Sequence, residues 1–213
     1  MEFGLSEEQT LLQDSVNRFL EDQAPLDTVR QIAAGDKQDA EVWQGLTDLG
    51  VPGLMISENN GGLGLTTMDA AVVAECLGYH VAPSPYLSSA LIAPVALQAA
   101  GKHEDLLSAV ATGERRIGIA FAEGFGARGD AGIAVSKGKL SGKSLFALDA
   151  AADDYLVATQ DREIYLVSAK ADGLNRQALT TVDKTRTTCE LVYKNVAAEL
   201  VAADEDVFFA ALN

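Results

Sequence analysis

The feature that most constrains this chain is a change of apolar period near Arg116. Before it, apolar residues recur every three or four positions, as on one face of a helix; after it they come in short runs, as in strands. Leu11, Leu12, Val16, Phe19 and Leu20 follow the first pattern behind Ser6-Glu7-Glu8-Gln9, a capping-box sequence. Val42, Trp43, Leu46 and Leu49 make a second apolar face that Gly50 closes. Thr67 reads as the cap of a later helix with Met68, Ala71, Val72 and Leu77 facing inward, and 87–100 as an apolar helix stopped by Gly101. Residues 117–121, 155–158, 164–167 and 189–192 supply strands, with Lys137-Gly138-Lys139 and Ser141-Gly142-Lys143 as turns between them.

The expected class is therefore α+β. An all-α helical domain is expected over 1–115 and a small antiparallel β-sheet or barrel domain over 116–202. The last stretch, 203–213, places Asp204, Glu205 and Asp206 ahead of Val207, Phe208 and Phe209, as at the positive end of a helix just beginning. It stops in mid-pattern at Asn213, so the expectation is a truncated further helical domain.

Charge narrows the partners. The net charge of −15 argues against nucleic acid or an anionic membrane surface. It is uneven: residues 1–115 hold 5 Lys/Arg against 17 Asp/Glu, and residues 116–213 hold 11 against 14. A phosphate-bearing ligand would find the second part the easier host. No apolar run approaches the roughly 18–20 residues that span a bilayer, and the acidic opening Met1-Glu2-Phe3 lacks the form of a secretory signal. A cytoplasmic protein without membrane insertion is expected. Cys76 and Cys189 read as small buried apolar groups, and His80 and His103 as loop or helix-end residues without ligand spacing. Gly124-Phe125-Gly126 with Gly129 lacks the strand–helix setting of a dinucleotide turn.

The order of motifs is more specific than any one of them. Ser6-Glu7-Glu8-Gln9, then Trp43-x-x-Leu46-x-x-Leu49-Gly50-x-x-Gly53, then Ile56-Ser57-Glu58-x-x-Gly61-Gly62-x-Gly64, then Glu75-x-Leu77-Gly78, resembles the N-terminal helical domain of acyl-CoA dehydrogenases. Gly113-Glu114 leading to Ala120-Phe121-Ala122-Glu123 is similar to the start of that family's middle β domain, and Leu140-x-Gly142-Lys143 and Val182-Asp183-x-Thr185-Arg186 continue the likeness. The segment 77–89 is similar to a bacterial branch that acts on steroid side chains and other bulky acyl-CoAs, in part as pairs of unlike subunits.

The resemblance implies FAD as cofactor, an acyl-CoA as substrate, an electron-transfer flavoprotein as acceptor, and a homo- or hetero-oligomer with a related subunit. It implies α,β-dehydrogenation of a thioester, with the catalytic glutamate in a C-terminal domain, so no catalytic residue is assigned here. The flavin cradle falls on Phe121, Ala122, Leu145, Phe146 and Ala147. There the chain departs from the family's pattern: Ala122 and Ala147 stand for threonines, Leu145 for a tryptophan, and Glu123-Gly124 for Glu-Pro. Strand alternation would turn Phe146 to the opposite face from Leu145. Tyr79 and Tyr86 are the candidates for the acyl pocket, with helix packing the commoner job for such residues. The departures also leave open a non-catalytic partner subunit that stabilises an active one; a bare interaction module ranks last, because a piece cut from this fold would leave apolar faces uncovered.

Overall fold

Ser6 caps α1 (Glu7–Gln23) reciprocally: its hydroxyl accepts from the Gln9 amide, and the Gln9 side chain accepts from the Ser6 amide at 3.1 Å. The computed structural model describes residues 4–126 and 129–212; the opening Met1-Glu2-Phe3 and the terminal Asn213, used above, lie outside them. After α1 come α2 (Leu26–Ala34), α3 (Ala40–Asp48), α4 (Thr67–Tyr79), a π-helical stretch Tyr86–Ile92, α5 (Ala93–Ala100) and α6 (Glu104–Ala111). Val16, Leu20, Trp43, Leu46, Val73 and Cys76 form the core between α1, α3 and α4.

Three details differ from the sequence reading. Thr66, not Thr67, caps α4, with its amide and hydroxyl both donating to Asp69. Met68 and Ala71 are exposed, and α4 buries Ala70, Val72, Val73, Cys76 and Leu77 instead. That helix is apolar nearly all round, so its period could not mark the buried face. The helix expected over 87–100 is two pieces, the wide π turn first and α5 after it.

Between α3 and α4 the glycine-rich loop folds on itself: the amides of Leu63, Gly64 and Leu65 donate to the carbonyls of Gly53, Ile56 and Leu54. Gln98 of α5 pins it, accepting from the Ser57 amide and donating to the Met55 carbonyl, both at 2.9 Å. Ser57 thus serves loop geometry.

The second half is an eight-stranded sheet of order β6-β7-β3-β1-β4-β5-β8, with β2 on β3. The strands are β1 (Ile117–Ala120), β2 (Gly132–Ser136), β3 (Lys139–Leu148), β4 (Asp154–Ala158), β5 (Ile164–Ser168), β6 (Leu174–Ala178), β7 (Thr188–Ala197) and β8 (Glu199–Ala202). All pairs are antiparallel but one, β1 with β4, which makes the sheet mixed. Lys137-Gly138 is a turn as expected. Ser141-Gly142-Lys143 is not: it lies within β3, where Gly142 (φ +127°) marks a register shift and a Cβ would fall 2.1 Å from the Gly132 carbonyl oxygen. Composition signals a break there, and a bulge satisfies it without ending the strand.

The helices and the sheet share a core. Leu97, Leu107 and Val110 pack with Ile117, Leu156, Ile164, Val201 and Phe208, the last from α8 (Glu205–Ala210). The seam is also hydrogen-bonded. Buried Ser89 donates to the Ile117 carbonyl at 3.1 Å and accepts from its amide at 2.9 Å, joining the π stretch to β1. Arg116 grips both oxygens of Asp149 at 3.0 Å and reaches Asp39, at the start of α3, at 3.2 Å. Cys76 and Cys189 are buried free thiols, and no helix among the described residues is long and apolar enough to cross a membrane.

Candidate functional site

Two neighbouring surfaces offer chemistry, and α8 connects them. The first is an apolar cavity of about 460 Å³ between α4, the π stretch, α5 and α8. Ala70, Ala71 and Ala74 form its α4 wall, and Leu91, Val95 and Ala211 face it from the other helices. The small side chains of α4 are what keep it open. A second cavity of about 320 Å³ shares Ala74, Leu87 and Leu91 with the first and reaches the loop carrying Asp183 and Arg186. No carboxylate lines the larger cavity among its described residues.

The second surface is a ridge where β1 ends, the helical turn α7 (Ala122–Phe125) begins, and β3 bulges. Phe208 of α8 packs its ring 5.2 Å from those of Phe121 and Phe125. Gly124 makes this possible: a Cβ there would come within 2.6 Å of the Phe208 ring. The departure from Glu-Pro to Glu123-Gly124 is thus matched by an aromatic side chain that occupies the space.

Each candidate residue has a definite place on or near this ridge. Phe121 is buried against Phe208, and Ala122 is half-buried. Leu145 is half-buried, Phe146 is 49% exposed, and Ala147 is fully buried in the sheet core beside Tyr155 and Cys189. The reason is the bulge. The β3–β7 register steps from Ser144↔Leu191 to Ala147↔Cys189, so Leu145 and Phe146 oppose a single residue, and Phe146 takes φ +56°. Simple alternation fails there, and Phe146 stands out into the open.

Tyr79 and Tyr86 part company. Tyr79 is 83% exposed and stacks edge-on against His80 by a shallow hollow beside α1, away from the apolar cavities. Tyr86 is buried, its hydroxyl donates to the Ala70 carbonyl at 2.7 Å, and it lines the smaller cavity. Burial pushes its phenol above the ordinary range.

Residues 6–114 match the model of the acyl-CoA dehydrogenase N-terminal domain. This chain belongs to the acyl-CoA dehydrogenase family. It is 36% identical over 104 residues to acyl-CoA dehydrogenase IpdE2 of Mycolicibacterium smegmatis, a match covering 48% of this chain and 33% of that protein. Among solved structures, the Tcur3481-Tcur3483 steroid ACAD G363A variant superposes with TM-score 0.80 at 27% identity over 96% of this chain and 60% of the other. The ChsE4-ChsE5 complex from Mycobacterium tuberculosis superposes with TM-score 0.81 at 22% identity over 99% and 61%. The curated relative is matched over about a third of its length, and these solved chains over about three fifths.

Members of the acyl-CoA dehydrogenase family bind FAD, so the ridge can be tested against a flavin. Ala122, Leu145 and Ala147 carry no polar side-chain group, so hydrogen bonds from these positions must come from the main chain. The first amides of a helical turn have no partner within it, which suits the Ala122 end of α7. Phe146, 49% exposed, is the aromatic side chain among the β3 positions of this set. The donor set fits a flavin held by backbone groups and apolar contacts, and fits one held by threonine hydroxyls poorly.

Sequence reasoning passed over two features. Ala70-Ala71-x-x-Ala74 has the spacing of one helix face, but alanines in an apolar helix look like core. Glu123 was visible only as half of a motif, yet it is 2% exposed.

Proposed function

We propose that this chain supplies the first two layers, helical and β, of a flavin-dependent acyl-CoA dehydrogenase subunit, which dehydrogenates a bulky acyl-CoA thioester between its α and β carbons. The observation that carries the reading is the apolar cavity walled by Ala70, Ala71 and Ala74, joined through α8 to the ridge of Phe121, Ala122, Leu145 and Phe146. Bound there, the flavin supplies hydride acceptance. The chain's own part is to hold the acyl group and exclude water. Alanines in place of longer side chains widen the cavity by several methylenes each, and burying apolar surface there favours binding by about 25 cal/mol per Å². Tyr86 donates its hydroxyl to the Ala70 carbonyl and so ties the π stretch to that α4 wall.

In this reading the proton-abstracting base is not one of the described residues that line the cavity, which carry no carboxylate. In this reading the protein is cytoplasmic, assembles with a related subunit, and passes electrons to an electron-transfer flavoprotein. The test is to purify the full-length protein with its neighbouring subunit and measure bound flavin and acyl-CoA oxidation. Neither flavin nor turnover in that complex would refute the reading.

A second reading has its own observation. With no side-chain donor at Ala122, Leu145 or Ala147, this subunit could be a non-catalytic partner that stabilises an active one. Each neutral hydrogen bond lost costs about 0.5–1.5 kcal/mol, so two or three together weaken a flavin site by a factor of about five to about two thousand. One flavin per pair of unlike subunits favours the partner; two per pair favours the dehydrogenase.

A further inference from the structure

The β3 bulge leaves a backbone problem that one buried side chain answers. Because Leu145 and Phe146 together oppose one residue of β7, the regular ladder is interrupted there. The Leu145 amide donates instead to Oε1 of Glu123, 22 residues earlier in the chain, at 2.8 Å. Glu123 is 2% exposed, and no ion-pair partner is seen for it among the described residues. Its second oxygen, Oε2, is buried without a hydrogen-bond partner. Beside it lies Ser144, fully buried, hydrogen-bonded to the Tyr193 hydroxyl at 3.1 Å.

Burying a carboxyl is costly, and a buried polar atom left unpaired calls for a reason. Burial drives the Glu123 carboxyl above its ordinary 4.5, against the opposing pull of the Leu145 amide and the Ser144 hydroxyl. Its neighbours in the chain show what is gained. Ala122 precedes it on the ridge, and Gly124, after it, is locked under the Phe208 ring. Across the gap, the bond to Leu145 anchors the residue just before Phe146, which holds a left-handed φ of +56° that side chains rarely adopt.

We infer that Glu123 is the positioning residue of the flavin-facing ridge: its carboxyl clamps the α7 turn to the β3 bulge and so sets the Leu145 backbone and the Phe146 ring in place before any cofactor arrives. The inference rests on the flavin reading above for what the ridge holds, and on the structure alone for the clamp. Glu123 touches no reacting atom in this account.

The experiment uses the full-length protein with its neighbouring subunit, in wild-type, Glu123→Ala, Glu123→Gln and Glu123→Met forms. Two quantities are read: amide exchange of residues 144–147 without FAD, and FAD affinity by quenching of flavin fluorescence. Gln keeps an acceptor for the Leu145 amide, whereas Met keeps volume without one, so it stands in should the Ala form not fold. The expected result is faster exchange in Ala and Met, at least about tenfold weaker FAD binding in both, and near-wild-type behaviour in Gln. Unchanged exchange in Met would overturn the clamp. Faster exchange with FAD affinity kept within about twofold would reduce Glu123 to a structural clip and overturn its positioning role. Wild-type protein that binds no FAD would instead sink the flavin reading, while the exchange comparison still decides the clamp.

Discussion

Two buried clusters of charge sit at opposite ends of the β1 region, and they are solved differently. At the seam, Arg116 is paired on both sides, with Asp149 bidentate and Asp39 reaching across from the helices. Burial works against its charge, but the two carboxylates outweigh that and hold the guanidinium above its ordinary value. At the ridge, Glu123 has the Leu145 amide and the Ser144 hydroxyl for company, and no cation among the described residues. The first arrangement fixes how helices and sheet meet. The second gives a bulged strand's amide an acceptor from a distant turn, which fixes local backbone rather than joining the two halves.

Removing one partner tests that contrast most sharply. Arg116→Ala leaves Asp149, with a side chain 2% exposed, buried with the Ala151 amide but without its counter-ion, so a loss of about 3–5 kcal/mol is expected, read as a large drop in denaturation midpoint. A change under about 1 kcal/mol would show that the seam does not depend on the pair. Gly124→Ala is expected to cost about 1–3 kcal/mol, because its Cβ meets the Phe208 ring at 2.6 Å. A Gly124→Ala, Phe208→Leu double variant should recover part of that in the same melt.

Glu123→Gln separates the two clusters by pH. A carboxyl whose folded pKa lies above the ordinary 4.5 favours folding while protonated. That contribution is whole below 4.5 and is lost as pH rises through the folded value. Wild-type stability should therefore fall relative to Glu123→Gln over that rise, and parallel pH–stability curves would contradict it. The smallest effect is expected at the rim of the ridge, where Arg162 pairs with Glu205 and lies 4.8 Å from the Phe209 ring. Its replacement by Ala should cost about 0.5–1 kcal/mol and shrink further in high salt.

Much of the local structure was legible along the chain. Ser6 and Gln9 formed the capping box that their types require, because a cap depends on residues three apart. The strand β1 begins at Ile117, next to the change of apolar period, and Cys76 and Cys189 are buried as small apolar groups. Thr66 was legible as the cap of α4, because Asp69 stands three residues on at capping-box spacing, and the sequence reading took its neighbour Thr67 instead. Met68 and Ala71 were misplaced because an almost wholly apolar helix carries no stripe to read.

The site was less legible, for a different reason. Positions 121, 122, 145, 146 and 147 were placed by likeness to a family, and only the folded sheet shows that Ala147 points into the core while Phe146 points out. Likewise Tyr79 and Tyr86, seven residues apart, separate onto an exposed hollow and a buried wall.

By itself, the sequence determined where helices give way to strands and the class of the longest segments, because helix and strand periods, caps and turn residues act over a few bonds. The tertiary structure alone decided the parallel pairing of β1 with β4, the β3 bulge, and the meeting of Glu123 with Leu145. Those depend on which distant surfaces share a core and on where a displaced amide finds an acceptor, and neither is written in the spacing of neighbours.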